Sequence, residues 1–268
     1  MNRRLLLSML VAAGLILAAC GGAAPPEEPA PAGPGAMEGL PDLGGLEITV
    51  AVENAYPPFN FIDEATGQPM GWDYDAVTEI CVRLNCVPVF TQAAWDGIFP
   101  AMAAGEYDML ADGVTYTEER AQTVDFSIPY VTIGQVLLIL EDQEIPDLDA
   151  FVADPATVVG TQIQTTNEIV ALTYFPRERV LSFEEFGGAV AARMGGDVDA
   201  VVIDTVSAVG FISANPGALK IGPTLTSDED LAFVFPPGSD LVAAVDAALE
   251  SMIADGTLQA LNDRWFNP

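Results

Sequence analysis

The chain has 268 residues and carries 39 acidic against 9 basic side chains, a formal charge of −30, with no histidine and three cysteines. That balance excludes nucleic-acid binding, which needs clustered Lys and Arg to neutralise phosphates. Without histidine a transition-metal site would rest on carboxylates and thiols alone, so no metal and no other cofactor is expected.

At the start, Arg3 and Arg4 precede an uncharged stretch over 5–19, followed by Cys20. A positive start, a short apolar run and small residues before a cut site mark an export signal. Spanning a hydrocarbon core takes about 20 apolar residues, and Gly21, Gly22, Pro25 and Pro26 interrupt the run too soon. Leu17-Ala18-Ala19-Cys20 resembles the bacterial lipoprotein signal, which implies removal of residues 1–19 and acylation of Cys20. Residues 20–45 are biased to Pro, Ala and Gly; they bury too little to offset ordering entropy and read as a flexible tether. The folded part would then sit at the outer face of the cytoplasmic membrane, held by the lipid alone.

From Leu46 onward strand-like and helix-like segments alternate. Residues 46–52 are a short β-branched run, and 73–84 place Ala76, Val77, Ile80, Cys81 and Leu84 on one helical face. A strand over 87–91, a helix over 97–104 and a strand over 107–111 follow. The apolar strand 135–140 runs into an acidic turn, EDQEIPD, which reads as a boundary. A second series begins near Ala156: strand, helix 166–174, strand, helix 184–194, strand 198–203, helix 204–213. An apolar strand near Leu231 precedes helices 241–254 and 257–266. Strands joined through helices argue for parallel α/β sheets. The last two helices have no strand between them and are expected to pack back on the first half, giving two chain crossings and a hinge. On this reading 46–138 with 226–268 form lobe one, and 139–225 form lobe two.

Cys81 and Cys86 are an even pair in an exported domain. They are either bridged or buried as free thiols; oxidising compartments favour the bridge.

Several pieces occur in a specific order: Glu53-Asn54-Ala55-Tyr56-Pro57-Pro58-Phe59, Gly71-Trp72-Asp73, Trp95-Asp96-Gly97, Gly113-Val114-Thr115-Tyr116-Thr117-Glu118-Glu119-Arg120, Val124-Asp125-Phe126-Ser127, Gly196-Asp197-Val198-Asp199-Ala200 and Arg264-Trp265-Phe266. The series resembles the family 3 extracellular solute-binding proteins, which include receptors for polar and basic amino acids. The resemblance implies an α/β type II periplasmic-binding-protein fold, two lobes on a two-crossing hinge. It also implies a monomer that delivers an amino acid to the permease of an ABC importer. No Gly-Lys-Ser/Thr phosphate loop occurs in the chain, so energy coupling would lie elsewhere.

The resemblance also assigns roles. Arg120 would take the ligand α-carboxylate through two parallel hydrogen bonds, assisted by Thr115 and Gly113. Asp204 would take the α-ammonium, or merely cap the helix it precedes. Thr165 and Thr166 open a helix whose free N–H groups suit an anion. The family usually has Gly before this pair of threonines, whereas this chain has Gln164, a residue strained wherever φ is positive. Tyr56 and Trp95 match two aromatic positions that sandwich the ligand side chain. Glu53 and Asp112 would face the distal group and favour a basic or amide side chain, or else be solvated. An enzyme resembling cyclohexadienyl dehydratase and a sensory module are the alternatives; retention of both Arg120 and Asp204 favours simple capture over catalysis.

Overall fold

The computed structural model describes residues 35–266; the expected export signal and Cys20 lie outside them. The chain opens with β1 (Leu46–Val52), the short strands β2 (Ala55–Tyr56), β3 (Asn60–Ile62) and β4 (Pro69–Met70), then α1 (Trp72–Leu84) and β5 (Cys86–Gln92). Next come α2 (Ile98–Ala103), β6 (Met109–Leu110), β7 (Asp125–Phe126) and β8 (Val131–Ile133). A second series follows: β9 (Gln135–Leu140), α3 (Leu148–Ala153), β10 (Val159–Gln162), α4 (Thr166–Tyr174), β11 (Val180–Phe183), α5 (Phe186–Gly195), β12 (Ala200–Asp204), α6 (Thr205–Ala214) and β13 (Leu219–Thr224). The chain returns through β14 (Glu229–Leu231) and β15 (Val234–Phe235) and ends in α7 (Leu241–Asp255) and α8 (Thr257–Phe266).

Two five-stranded sheets result, ordered β5-β1-β6-β15-β7 and β11-β10-β12-β9-β13, one in each lobe. β1 is parallel to β5 and β6, and β10 to β11 and β12. The parallel pairing expected from the sequence is present in both sheets, and each also holds antiparallel pairs: β15 runs against β6 and β7, and β9 against β12 and β13. Both strands enter their sheet soon after the chain passes between lobes, where no helix intervenes to reverse it.

The passage lies at Gly134, ahead of β9. The boundary expected at 138/139 therefore falls inside a strand that pairs along its length with β12 in the second sheet. The acidic turn is not the crossing. The return passes Leu225 and Thr226, and the two crossings are tied together: Leu225 N donates to Gln135 O at 2.7 Å, and Gln135 N to Thr226 Oγ1 at 2.9 Å. A Cβ on Gly134 would stand 2.1 Å from Thr226 O, so only glycine lets these backbones approach. Beside them β8 and β14 form an antiparallel ribbon.

The face of α1 read from the sequence is buried, and α7 and α8 close over it. Buried Arg83 donates to Ser251 Oγ at 2.8 Å and Thr257 Oγ1 at 2.9 Å and pairs with Asp255 at 2.8 Å. Trp72 Nε1 donates to Asn262 Oδ1 at 2.7 Å. Cys81 and Cys86 are joined by a disulfide across the end of α1, with Cα atoms 4.5 Å apart.

The expectation of a flexible tether does not hold for residues 37–45, which are bonded to the folded part. Met37 N donates to Arg83 O at 2.9 Å, Leu43 N to Leu84 O at 2.8 Å and Gly45 N to Asn85 O at 2.8 Å. The physical reason is local: the last carbonyls of α1 have no helical partner, and Leu40 and Leu43 gain burial by packing on the core while supplying it.

Candidate ligand cleft

The carboxyl ends of β1, β6, β10 and β12 converge where the lobes meet, as ligand sites do in open α/β sheets. Lining this cleft are Glu53, Tyr56, Trp95, Asp112, Gly113, Thr115 and Arg120 from the first lobe. Gln162, Thr165, Thr166, Asn167, Phe186 and Asp204 line it from the second. Every site residue read from the sequence, Cys20 and the cysteine pair apart, thus lies in one place.

Arg120 opens a 3-10 turn, its backbone N–H held by Thr117 Oγ1 at 3.1 Å. Its guanidinium lies over the Phe99 ring at 4.5 Å and the Trp95 ring at 5.4 Å. One of its five N–H donors is committed, from Nη1 to Thr115 O at 2.8 Å. Among the described residues it forms no ion pair, and it does not join Glu118, Glu119 or Asp125. Burial lowers its pKa to about 10, which leaves it cationic at neutral pH. A half-buried, charged fork with spare donors has the chemistry to take a carboxylate.

Asp204 stands at the N-cap position of α6, yet its side chain accepts no capping bond. The capping alternative is therefore not what holds it. Its carboxylate points into the cleft, where Asn167 Nδ2 donates to Oδ1 at 2.8 Å and the Tyr56 hydroxyl donates to Oδ2. Burial raises its pKa to about 6, opposed by those two hydrogen bonds. It is ionised at neutral pH and retains acceptor capacity for a third donor such as an ammonium. Arg120 and Asp204 each act on the other's ionisation.

At the start of α4, Thr165 caps the helix by accepting from Glu168 N at 3.1 Å, leaving Thr166 toward the cleft. Thr166 Oγ1 is 3.3 Å from Thr115 Oγ1, a contact between lobes. Gln164 does adopt positive φ, 60°, the conformation in which the sequence flagged strain. Two bonds hold it there: Gln164 N to Glu168 Oε2 at 2.8 Å, and Nε2 across the cleft to Asp96 Oδ1 at 2.7 Å.

Tyr56 lies nearly parallel to Phe59 and Phe186, with centroids 5.3 and 5.2 Å away, and Trp95 meets Phe99 edge-on. Gly113 has φ 55°, and a Cβ there would stand 2.8 Å from the Tyr56 ring, so glycine is needed twice over. Glu53 and Asp112 are not solvated. They are 5% and 4% exposed, and burial raises the pKa of both.

Sequence reading missed Gln162, Asn167, Phe186, Phe99 and Asn60. Gln162 Nε2 donates to Glu53 Oε1 at 2.7 Å from the opposite lobe. Its place at the carboxyl end of a strand was the one available signal.

Residues 48–268 match the family described as bacterial extracellular solute-binding proteins, family 3. Among individual relatives, ABC transporter arginine-binding protein 1 of Escherichia coli (strain K12) is 25% identical over 228 residues, covering 82% of this chain and 90% of its own length. The L-cystine-binding protein TcyA of Bacillus subtilis (strain 168) is 27% identical over 268 residues, covering 99% of this chain and 98% of its own. The solved structure of an ancestral arginine-binding protein bound to arginine superposes with a TM-score of 0.73 at 33% identity, over 82% of this chain and 98% of that one.

Proposed function

Since the chain belongs to the bacterial extracellular solute-binding proteins, family 3, we propose that it captures an α-amino acid outside the cytoplasm and presents it to the permease of an ABC importer. Arg120 takes the α-carboxylate on lobe one, and Thr115 and Gly113 border it. Closure brings Asp204 onto the α-ammonium and Thr166 onto the carboxylate from lobe two, while Tyr56 and Trp95 flank the side chain. The observation that carries this reading is the convergence, in one cleft, of a guanidinium with spare donors and an ionised, uncapped carboxylate from opposite lobes. Affinity then includes the free energy of stabilising the closed population. Glu53 and Asp112 at the far end support a polar or basic side chain.

Support for capture rather than catalysis comes from the relatives, which are named as binding proteins. Among the described residues no helix is long and apolar enough to cross a membrane. Acylation of Cys20 and action as a monomer belong to the same proposal. A thermal-shift titration of the purified chain tests the capture reading. An α-amino acid should raise Tm in a concentration-dependent way, and its decarboxylated analogue should not. Equal shifts from both would remove Arg120 from its role.

A further inference from the structure

The far end of the cleft holds an arrangement that pinching a zwitterion does not use. Asn60 is fully buried, and its Nδ2 donates both to Asp112 Oδ1 at 2.7 Å and to Asp73 Oδ2 at 2.8 Å. Its Oδ1 is fixed by Asn54 N at 2.6 Å, so the amide cannot turn away. Asp112 is thereby aimed beside Glu53. Glu53 receives Gln162 at Oε1, while its Oε2 accepts no hydrogen bond among the described residues although the side chain is more than nine-tenths buried and lines the cleft. No Lys or Arg pairs with Glu53, Asp73 or Asp112 among the described residues.

Glu53 and Asp112, both buried in one cleft lining with no Lys or Arg paired to either among the described residues, resist being ionised together. Resting on the capture reading, we infer that this end of the cleft is a cation-for-proton exchange subsite. Glu53 and Asp112 share a proton, receive the distal ammonium or guanidinium of a basic amino acid, and release that proton to solvent as the cation enters. Asn60 is the positioning residue that presents Asp112.

The surrounding charges agree. Glu53 is raised by burial first, then by Asp112, and also by Glu185; Gln162 opposes. Asp112 is raised by burial, with Asn60 and the Glu53 backbone N–H opposing, and it in turn acts on Asp73, Tyr56, Tyr74 and Tyr130. Asp73 is pushed well up by burial, with Asn60 opposing and Asp112 adding to the rise. A neutral distal group cannot compensate the second negative charge, so its binding leaves the proton in place. Affinity for a basic ligand should therefore rise with pH relative to that for an uncharged isostere, by up to about tenfold per pH unit for each proton displaced. Taking the ratio removes the titration of Asp204, which both ligands share.

Calorimetry of the mature protein at pH 7.5, in two buffers of different ionisation enthalpy, reads the exchange directly. The ligands are L-arginine, L-lysine and citrulline. The expected result is release of about one proton with the basic ligand that binds and none with citrulline. Asp112→Asn should abolish the release and lower the basic-to-citrulline affinity ratio by about tenfold or more; Glu53→Gln provides the same test should that variant fail to fold. Tight binding of a basic ligand with no proton release, or citrulline bound as tightly as both basic ligands, would overturn the inference and leave amino-acid capture standing. Failure of every α-amino acid to bind would overturn capture, and this inference with it.

Discussion

Tyr56 and Asp204 bind one lobe to the other: the phenol, from a strand of the first, donates to a carboxylate at the strand end of the second. The residues are 148 apart in sequence, so the bond exists only when the lobes meet. Tyr56→Phe removes one donor from a buried carboxylate. The expected loss is about 1–3 kcal/mol in ligand affinity, read by calorimetry at pH 7.5. Unchanged affinity would mean that the hydroxyl plays no part in holding Asp204 for the ligand.

Asp204 sets stability and binding against each other. Its folded pKa of about 6 exceeds the ordinary 3.8, so between those values the folded chain holds the proton more tightly than the unfolded one. Its contribution to stability is greatest below the unfolded value and declines as pH rises to about 6. Capture of an ammonium needs the ionised form and runs the other way, weakening as pH falls through the same range. Asp204→Asn should thus raise the Tm of the ligand-free chain at pH 7 and reduce amino-acid affinity by about a hundredfold or more. A variant that loses stability and affinity together would contradict this account.

Closure also depends on a missing side chain. Gly210 of α6 faces Pro57, and a Cβ there would stand 2.6 Å from the Pro57 carbonyl oxygen, while Ser207 one turn earlier donates to that same oxygen at 2.9 Å. Gly210→Ala should leave each lobe folded and hold the lobes apart, lowering affinity by about tenfold or more through the closed population alone. Small-angle scattering with saturating ligand should show a larger radius of gyration than the parent. The same compaction in both would rule out this role for Gly210.

The Cys81–Cys86 bridge closes a loop with a sequence separation of 5 at the end of α1 opposite Gly71 and the cleft side of the lobe. A loop so short constrains the unfolded chain little, so Cys81→Ser with Cys86→Ser should cost about 2 kcal/mol in urea unfolding. Ligand affinity should not change.

Local signals carried far in this chain. Helices 166–174 and 257–266 were readable to the residue because a Thr cap and a Gly-Thr junction mark their starts. Arg120 and Asp204 were readable because each sits in an ordered motif or at a strand end. What failed was pairing between distant segments. The apolar run near Leu231 splits into β14 and β15 because Leu231 pairs with Val131 in the ribbon while Val234 pairs with Leu110 in the sheet. The strand expected over 107–111 shrinks to Met109–Leu110 because Asp108 turns its carboxylate to Thr49, bonding its N–H at 2.8 Å and its hydroxyl at 2.6 Å. Asn60, Gln162 and Asn167 escaped notice for the same reason: an amide has no periodicity, and its meaning lies in partners 13 to 109 residues away.

A crystal structure of the chain with the amino acid that most raises its Tm is the most direct test of the whole account. The α-carboxylate should lie within about 3 Å of two Arg120 nitrogens, and the α-ammonium within about 3 Å of an Asp204 oxygen. A ligand held in this cleft with its carboxylate away from Arg120, or its ammonium on lobe one alone, would contradict it.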